Sequence, residues 1–131
     1  MCGAYSGVTM TKKRVLFVDN RPEYLAQPVL RLRVDGYDVD DAASGAEGLR
    51  LIREAPYDLV IVDSELPDED GWDVLKAVRA DPALESTKAI VLMAGKGETG
   101  RLVLVPVDAE LRRPFSIGTL LQTVRKVIGP P

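Results

Sequence analysis

Strand-like and helix-like segments alternate along almost the whole chain of 131 residues. Continuous apolar runs at 14–19, 58–63 and 88–94 are typical of strands that are buried on both faces of a sheet. Residues 37–42 are shorter and more polar, as in an edge strand, and 109–113 form a weaker fifth candidate. The alternation therefore predicts an α/β domain with a doubly wound parallel sheet.

Helical patterns fill the intervals between the strands. Helices are predicted from Glu23 to Val34, from Ser44 to about Pro56, from Trp72 to Ala80, and after Ser116. Pro28 is expected to kink the first helix or to delay its start, because proline removes a backbone donor and crowds the preceding turn. Residues 95–107 contain three glycines, a β-branched run and Pro106, so we expect a distorted fourth helix or an irregular loop there.

Composition excludes several classes of function. The net charge of −3 gives no reason to expect a nucleic-acid partner, and no apolar run is long enough for a transmembrane span. The chain contains no histidine, so a catalytic or metal-binding histidine is excluded. The length suits one domain, predicted at 12–128, between a flexible N-terminal tail at 1–11 and a C-terminal tail at 129–131.

Two strands end on a carboxylate. The first strand, in the segment RVLFVDNRP, ends at Asp19. The third strand, in the segment DLVIVDSELPDEDGW, ends at Asp63 and is followed by a tight acidic turn. In doubly wound folds a site forms outside the carboxyl ends of the strands, where the strand order reverses. We therefore expect Asp19 and Asp63 to meet there. The acidic residues that follow Asp63 are interpreted as a solvated turn: Glu65, Asp68, Glu69 and Asp70.

With RRPF near the C-terminal end, these segments resemble the receiver domain of two-component response regulators. The resemblance covers about residues 12–128. It implies a flavodoxin-like five-stranded parallel sheet with strand order 2-1-3-4-5. It also implies a cytoplasmic signalling domain, not an enzyme, that receives a phosphoryl group from a histidine kinase.

The resemblance assigns roles to particular residues. Asp63 corresponds to the phosphoacceptor. A weak Mg²⁺ site is implied at Asp19, Asn20, Asp63 and the backbone carbonyl of Glu65, since Mg²⁺ prefers hard oxygen ligands. The metal would neutralise the carboxylate nucleophile and the incoming phosphoryl oxygens.

Several site positions depart from the family pattern. Asn20 stands where the family has a second acidic residue, so it brings no charge to a metal. Met93 stands in place of a threonine or serine whose hydroxyl binds the phosphoryl group. Arg113 replaces a lysine, and its larger guanidinium group could pair with Asp63 without any metal. Glu110 occupies the position of an aromatic switch residue.

Three functions stay open at this point. The first is a receiver domain that accepts phosphate at Asp63 weakly or not at all and acts through protein–protein contacts. The second is a phosphate-independent interaction module, for which residues 95–113 are a possible partner surface. The third is a small flavodoxin-like binding protein, which the absence of a glycine-rich loop after the first strand disfavours.

Overall fold

The computed structural model describes residues 12–68, 70–93 and 105–131, apart from the side chains of 22–25. Within these ranges five strands form one sheet. Their bounds are β1 Arg14–Val18, β2 Asp38–Ala42, β3 Leu59–Asp63, β4 Lys88–Met93 and β5 Ala109–Arg112. All neighbouring strands are parallel, in the order β2-β1-β3-β4-β5. The predicted fold class, strand order and edge position of β2 are confirmed.

The described ranges contain four α-helices, of which the first three connect strands and the fourth follows β5. They are α1 Pro22–Asp35, α2 Gly45–Glu54, α3 Gly71–Ala80 and α4 Ile117–Ile128, and a 3-10 turn follows α3 at Pro82–Leu84. The predicted delay at Pro28 is wrong, because Pro22 already occupies the first turn of α1, where its fixed φ favours a helix start. Pro28 lies inside the helix with a buried side chain.

Hydrophobic side chains cover both faces of the sheet. Alternate residues of β1 point to opposite faces, so that Leu16 and Val18 join one core cluster while Val15 and Phe17 join the other. The first cluster also takes up residues of α2 and α3, and the second takes up residues of α1 and α4. Burial on both faces explains why the central strands are continuous apolar runs.

The segment that leads into β5 is held by Arg79 at the end of α3. Its guanidinium donates hydrogen bonds to the carbonyls of Thr87 and Pro106, at 2.9 and 3.1 Å, and to Asp108 Oδ2 at 3.0 Å. Val105 is buried in the core cluster shared with α3. The expected distortion of a fourth helix falls mainly on 95–104, outside the described residues.

The end of the chain packs on the domain. Tyr37 Oη donates a hydrogen bond of 2.7 Å to the carbonyl of Gly129, and Lys13 Nζ donates one of 2.6 Å to the carbonyl of Ile128. Residues 1–11, the predicted N-terminal tail, lie outside the described part of the chain. None of the helices in the described ranges is long and apolar enough to cross a membrane.

Candidate functional site

Asp19, Asp63 and Arg113 meet at the carboxyl edge of the sheet. Asp19 directly follows β1, Asp63 is the last residue of β3, and Arg113 directly follows β5. Parallel strands place their carboxyl ends on one edge, so residues far apart in sequence converge there. Both carboxylates are only 1% exposed. Asp19 and Asp63 therefore lie close together, as expected from the strand ends.

A single nitrogen of Arg113 bridges the two carboxylates. Its Nη2 atom donates hydrogen bonds to Asp19 Oδ2 at 3.0 Å and to Asp63 Oδ2 at 3.2 Å. The arginine is itself held in place, since its backbone N–H donates to the carbonyl of Met93 at 2.9 Å and its guanidinium lies over the Phe115 ring, 5.6 Å from the centroid. Because buried carboxylates are costly without a partner, the bridge compensates two charges that are withdrawn from water.

The second oxygen of each carboxylate accepts a backbone N–H. Arg21 N donates to Asp19 Oδ1 and Glu65 N donates to Asp63 Oδ1, each at 3.0 Å. Burial raises the pKa of the Asp19 carboxyl above its usual value, as does the nearby Asp63, whereas the Arg21 N–H and the Arg113 charge lower the pKa. Each carboxylate is thus oriented from two sides, by a backbone amide and by a guanidinium.

Arg21 brings a second guanidinium to the site. Its Nη2 atom lies 3.7 Å from Asp63 Oδ2 and 3.2 Å from Glu65 Oε1. Arg21 is not among the site residues predicted from the sequence. The only available signal was its position, two residues after the strand-ending Asp19, where a turn can point a long side chain back across the edge of the sheet.

The turn after β3 has two capping residues. Asp70 Oδ1 accepts the Trp72 N–H at 2.9 Å and caps α3. Asp68 accepts from the Gly45 and Ala46 N–H groups, at 2.9 and 3.0 Å, and caps α2 from across the edge of the sheet. The interpretation of these two acidic residues as a merely solvated turn is therefore wrong, since free N–H donors at the helix starts bind their carboxylates.

The turn after β3 requires glycine at position 71. A Cβ atom built on Gly71 would overlap the backbone carbonyl oxygen of Asp63, and its next neighbours are Asp63 C and Ser64 Cα. The Gly71 N–H donates to the carbonyl of Ser64 at 3.0 Å. Close approach of two backbones leaves no room for a side chain, so the start of α3 is packed directly against the backbone of Asp63.

The other predicted site residues lie at the edge of this arrangement. Asn20 is exposed, and the Glu65 side chain is 60% exposed. Met93 is fully buried within the core cluster of α3, and its carbonyl, not its side chain, contacts Arg113. Glu110 is partly buried on β5. In the described part of the chain no group of three or more acidic, cysteine or histidine side chains is placed to hold a metal ion.

The oxygen donors nevertheless suit Mg²⁺ in kind. Two buried carboxylates and a backbone carbonyl are hard ligands, and Mg²⁺ keeps several waters when it binds proteins. The competing feature is Arg113, which already contacts both carboxylates. A dication entering here would have to share or displace that contact, so the donor set fits a weak metal site.

A cavity of about 360 Å³ opens beside the bridge. Its charged wall is formed by Asp19, Arg21 and Arg113. The apolar part of its lining comes from Phe17, Pro28, Leu92, Pro114, Phe115 and Ile117. The cavity is large enough to admit a small anionic reagent to the edge of the carboxylate pair.

The comparisons with known proteins agree with this geometry. The family model of the response regulator receiver domain matches residues 15–125. The DNA-binding response regulator MtrA of Mycolicibacterium smegmatis is 32% identical over 117 residues, which are 87% of this chain and 50% of MtrA. The chain therefore spans about half the length of that relative.

Two further proteins are similar over nearly their full length. The polar-differentiation response regulator DivK of Brucella ovis is 29% identical over 124 residues, 92% of this chain and 98% of DivK. The receiver domain of the sensor histidine kinase PA1611 from Pseudomonas aeruginosa superposes with a TM-score of 0.83 at 25% identity, covering 91% of this chain and 99% of that one. That structure has a magnesium ion coordinated in its active-site cleft.

Proposed function

Because the chain belongs to the response regulator receiver domain family, whose members act in two-component signalling, we propose that it is a receiver domain with a restrained phosphoacceptor. In this proposal Asp63 accepts a phosphoryl group slowly from a histidine kinase, and the output is a protein–protein contact. The observation that carries it is the Arg113 Nη2 atom shared between Asp19 and Asp63.

The restraint on Asp63 follows from its contacts. The carboxylate must approach a phosphorus atom as a nucleophile, yet one oxygen accepts the Glu65 N–H and the other accepts Arg113. An oxygen that is hydrogen-bonded to a cation is a weaker nucleophile than a free one. The same charge stabilises the transferred group after it arrives, so the arrangement favours slow transfer rather than none.

Mg²⁺ would be held by Asp19, Asp63 and the Glu65 carbonyl, with the Asn20 amide as an additional uncharged donor. When bound, the ion supplies positive charge to the acceptor and to the phosphoryl oxygens. Arg113 competes for both carboxylates, so we expect weak binding. The Glu65 N–H orients the acceptor through its other oxygen.

The test compares the phosphorylation rates of three variants with that of the wild type, using acetyl phosphate and Mg²⁺ and intact-protein mass spectrometry. Lysine is a compact point charge that leaves more of the carboxylate pair open to metal, so Arg113→Lys should react about tenfold faster than wild type. Asp63→Asn should gain no phosphoryl mass. Arg112→Lys makes the same change one residue earlier, at the end of β5, and should react at the wild-type rate. A wild-type rate equal to that of Arg113→Lys would overturn the proposed restraint.

A second candidate is a phosphate-independent interaction module. It is favoured by the same bridge, because the Arg113 guanidinium already neutralises the negative charge of Asp63 in the absence of phosphate. Possible partners are a histidine kinase or another cytoplasmic signalling protein, and the proposed contact surface is 95–113, of which 105–113 are described. Asp63→Ala separates the two candidates: retained partner binding by a folded variant supports this one, and loss of binding supports phosphate control.

A further inference from the structure

Two arginines, not one, face the acceptor carboxylate. Arg113 Nη2 lies 3.2 Å from Asp63 Oδ2, and Arg21 Nη2 lies 3.7 Å from the same oxygen. They come from opposite sides of the site, since Arg113 follows β5 and Arg21 follows β1. Only 18% of the Arg113 side chain and 29% of the Arg21 side chain are exposed, so neither charge is fully screened by water.

Two guanidinium groups offset much of the negative charge of the inner site. Among the described residues, Asp19 and Asp63 are the buried acidic side chains, and Arg21 and Arg113 touch them or lie within ion-pair distance. Arg21 also pairs with the exposed Glu65. A site of several carboxylates and one cation needs a dication before a phosphoryl dianion can approach. Here the second arginine makes up part of that deficit, and the exposed Asn20 adds no negative charge.

We propose that Arg21 acts with Arg113 to supply the positive charge that Mg²⁺ supplies in other receiver sites, so that Asp63 accepts a phosphoryl group without a divalent cation. This inference rests on the proposed function, since it concerns the same acceptor. Arg21 is the residue it newly assigns. Guanidinium groups suit this role because their planar forks match phosphoryl oxygens and remain charged at every physiological pH.

The transfer step balances with the groups present. A carboxylate oxygen of Asp63 forms a bond to the phosphorus of acetyl phosphate, the bond from phosphorus to the bridging oxygen breaks, and acetate leaves with that electron pair. No proton has to move. Negative charge on the transferred oxygens falls within reach of Arg113 from one side and Arg21 from the other. Arg21 is tethered to Glu65 at 3.2 Å, which holds its guanidinium over the acceptor.

The same charges should oppose metal binding. A dication placed at Asp19 and Asp63 would be repelled by two guanidinium groups, whose Nη2 atoms lie within 3.7 Å of these carboxylates. Removing one guanidinium lowers that repulsion. Mg²⁺ affinity in Arg21→Ala is therefore a readout that does not depend on phosphoryl transfer.

The experiment measures phosphoryl mass on the full chain with acetyl phosphate, in EDTA and in saturating Mg²⁺. Wild type should react at rates that agree within about threefold in the two conditions, whereas Arg21→Ala should lose about tenfold in EDTA and recover in Mg²⁺. Arg21→Lys should keep most of the rate in EDTA. Arg50→Ala is the matched control, since Arg50 also pairs with two acidic residues but lies exposed on α2.

Mg²⁺ affinity, measured by calorimetry, should be about tenfold higher in Arg21→Ala than in wild type or Arg50→Ala. Thermal unfolding shows which variants are folded, and the wild-type comparison of EDTA with Mg²⁺ remains the test if Arg21→Ala is not. Wild-type phosphorylation that occurs only with Mg²⁺ would overturn this inference and leave the slow acceptor intact. No adduct in either condition would overturn both and favour the phosphate-independent module.

Discussion

Arg113 donates a hydrogen bond to Asp63 across 50 residues of sequence, although β4 separates their strands in the sheet. The contact spans the carboxyl end of β4, where the Met93 carbonyl accepts the Arg113 N–H. The bridge thus depends on the register of three strands. Under the proposed function, Arg113 affects both the stability of the domain and the reactivity of Asp63.

Loss of this arginine should be costly. Arg113→Ala leaves the buried Asp19 carboxylate without a cation and Asp63 with only the more distant Arg21, so the free energy of unfolding at neutral pH should fall by about 3 kcal/mol. Chemical denaturation measures it. Arg50→Ala removes an exposed pair and should cost no more than about 0.5 kcal/mol. Similar losses in the two variants would show that the buried bridge contributes no more than a surface ion pair.

Substitution of Gly71 should disturb the end of β3. Gly71→Ala forces a Cβ into the carbonyl of Asp63, so we expect a loss of about 3 kcal/mol or more in the free energy of unfolding, together with slower phosphorylation. The matched control is Gly118→Ala in α4, whose added Cβ meets nothing nearer than Ser116 Oγ at 3.8 Å. That change should stabilise the protein by about 0.5–1 kcal/mol, because alanine has a higher helix propensity than glycine at an exposed helical position. Destabilisation of both variants to the same degree would contradict the steric explanation.

The cap provided by Asp68 can be tested directly. Asp68→Ala removes the acceptor of the Gly45 and Ala46 N–H groups, so these two amides should exchange hydrogen faster and the protein should lose about 1 kcal/mol of stability. Asp68→Asn retains an acceptor oxygen and should lose less. Unchanged exchange at Gly45 and Ala46 in the alanine variant would mean that the cap has no energetic role.

Tyr57 should make stability fall at alkaline pH. Burial, followed by the hydrogen bond of 2.6 Å to Asp40, raises the pKa of Tyr57 to about 12. Between the unfolded value near 10 and this folded value, the unfolded chain loses the proton first, so the contribution of Tyr57 is complete below about pH 10 and declines by about 1.4 kcal/mol per pH unit above it.

The comparison with Tyr57→Phe isolates this contribution. The phenylalanine variant lacks the hydrogen bond and should be about 1 kcal/mol less stable at pH 8, with a shallower decline at higher pH. The stability difference between the two proteins should therefore narrow from about pH 9 to about pH 10.5 in denaturant titrations. A constant difference over that range would exclude a raised pKa for Tyr57.

Local features of this domain could be predicted from the sequence because their causes lie within a few residues. Ser44 and Ser116, which mark two of the predicted helix starts, cap their helices by accepting the N–H of Glu47 at 3.2 Å and of Thr119 at 3.0 Å. The strand runs were recognisable because strands buried on both faces need apolar residues throughout. The strand order came from the family resemblance, and the meeting of Asp19 and Asp63 followed from parallel strand ends.

The partners of these residues were decided only by the tertiary structure. Arg113 was expected as a possible partner of Asp63, but its second bond, to Asp19, depends on how β1, β3 and β5 align. The approach of Arg21 and the cap from Asp68 likewise join loops that no local pattern connects. Periodicity and capping act over one or two turns of chain, whereas the charge balance at Asp63 is a property of the edge where distant strands end together.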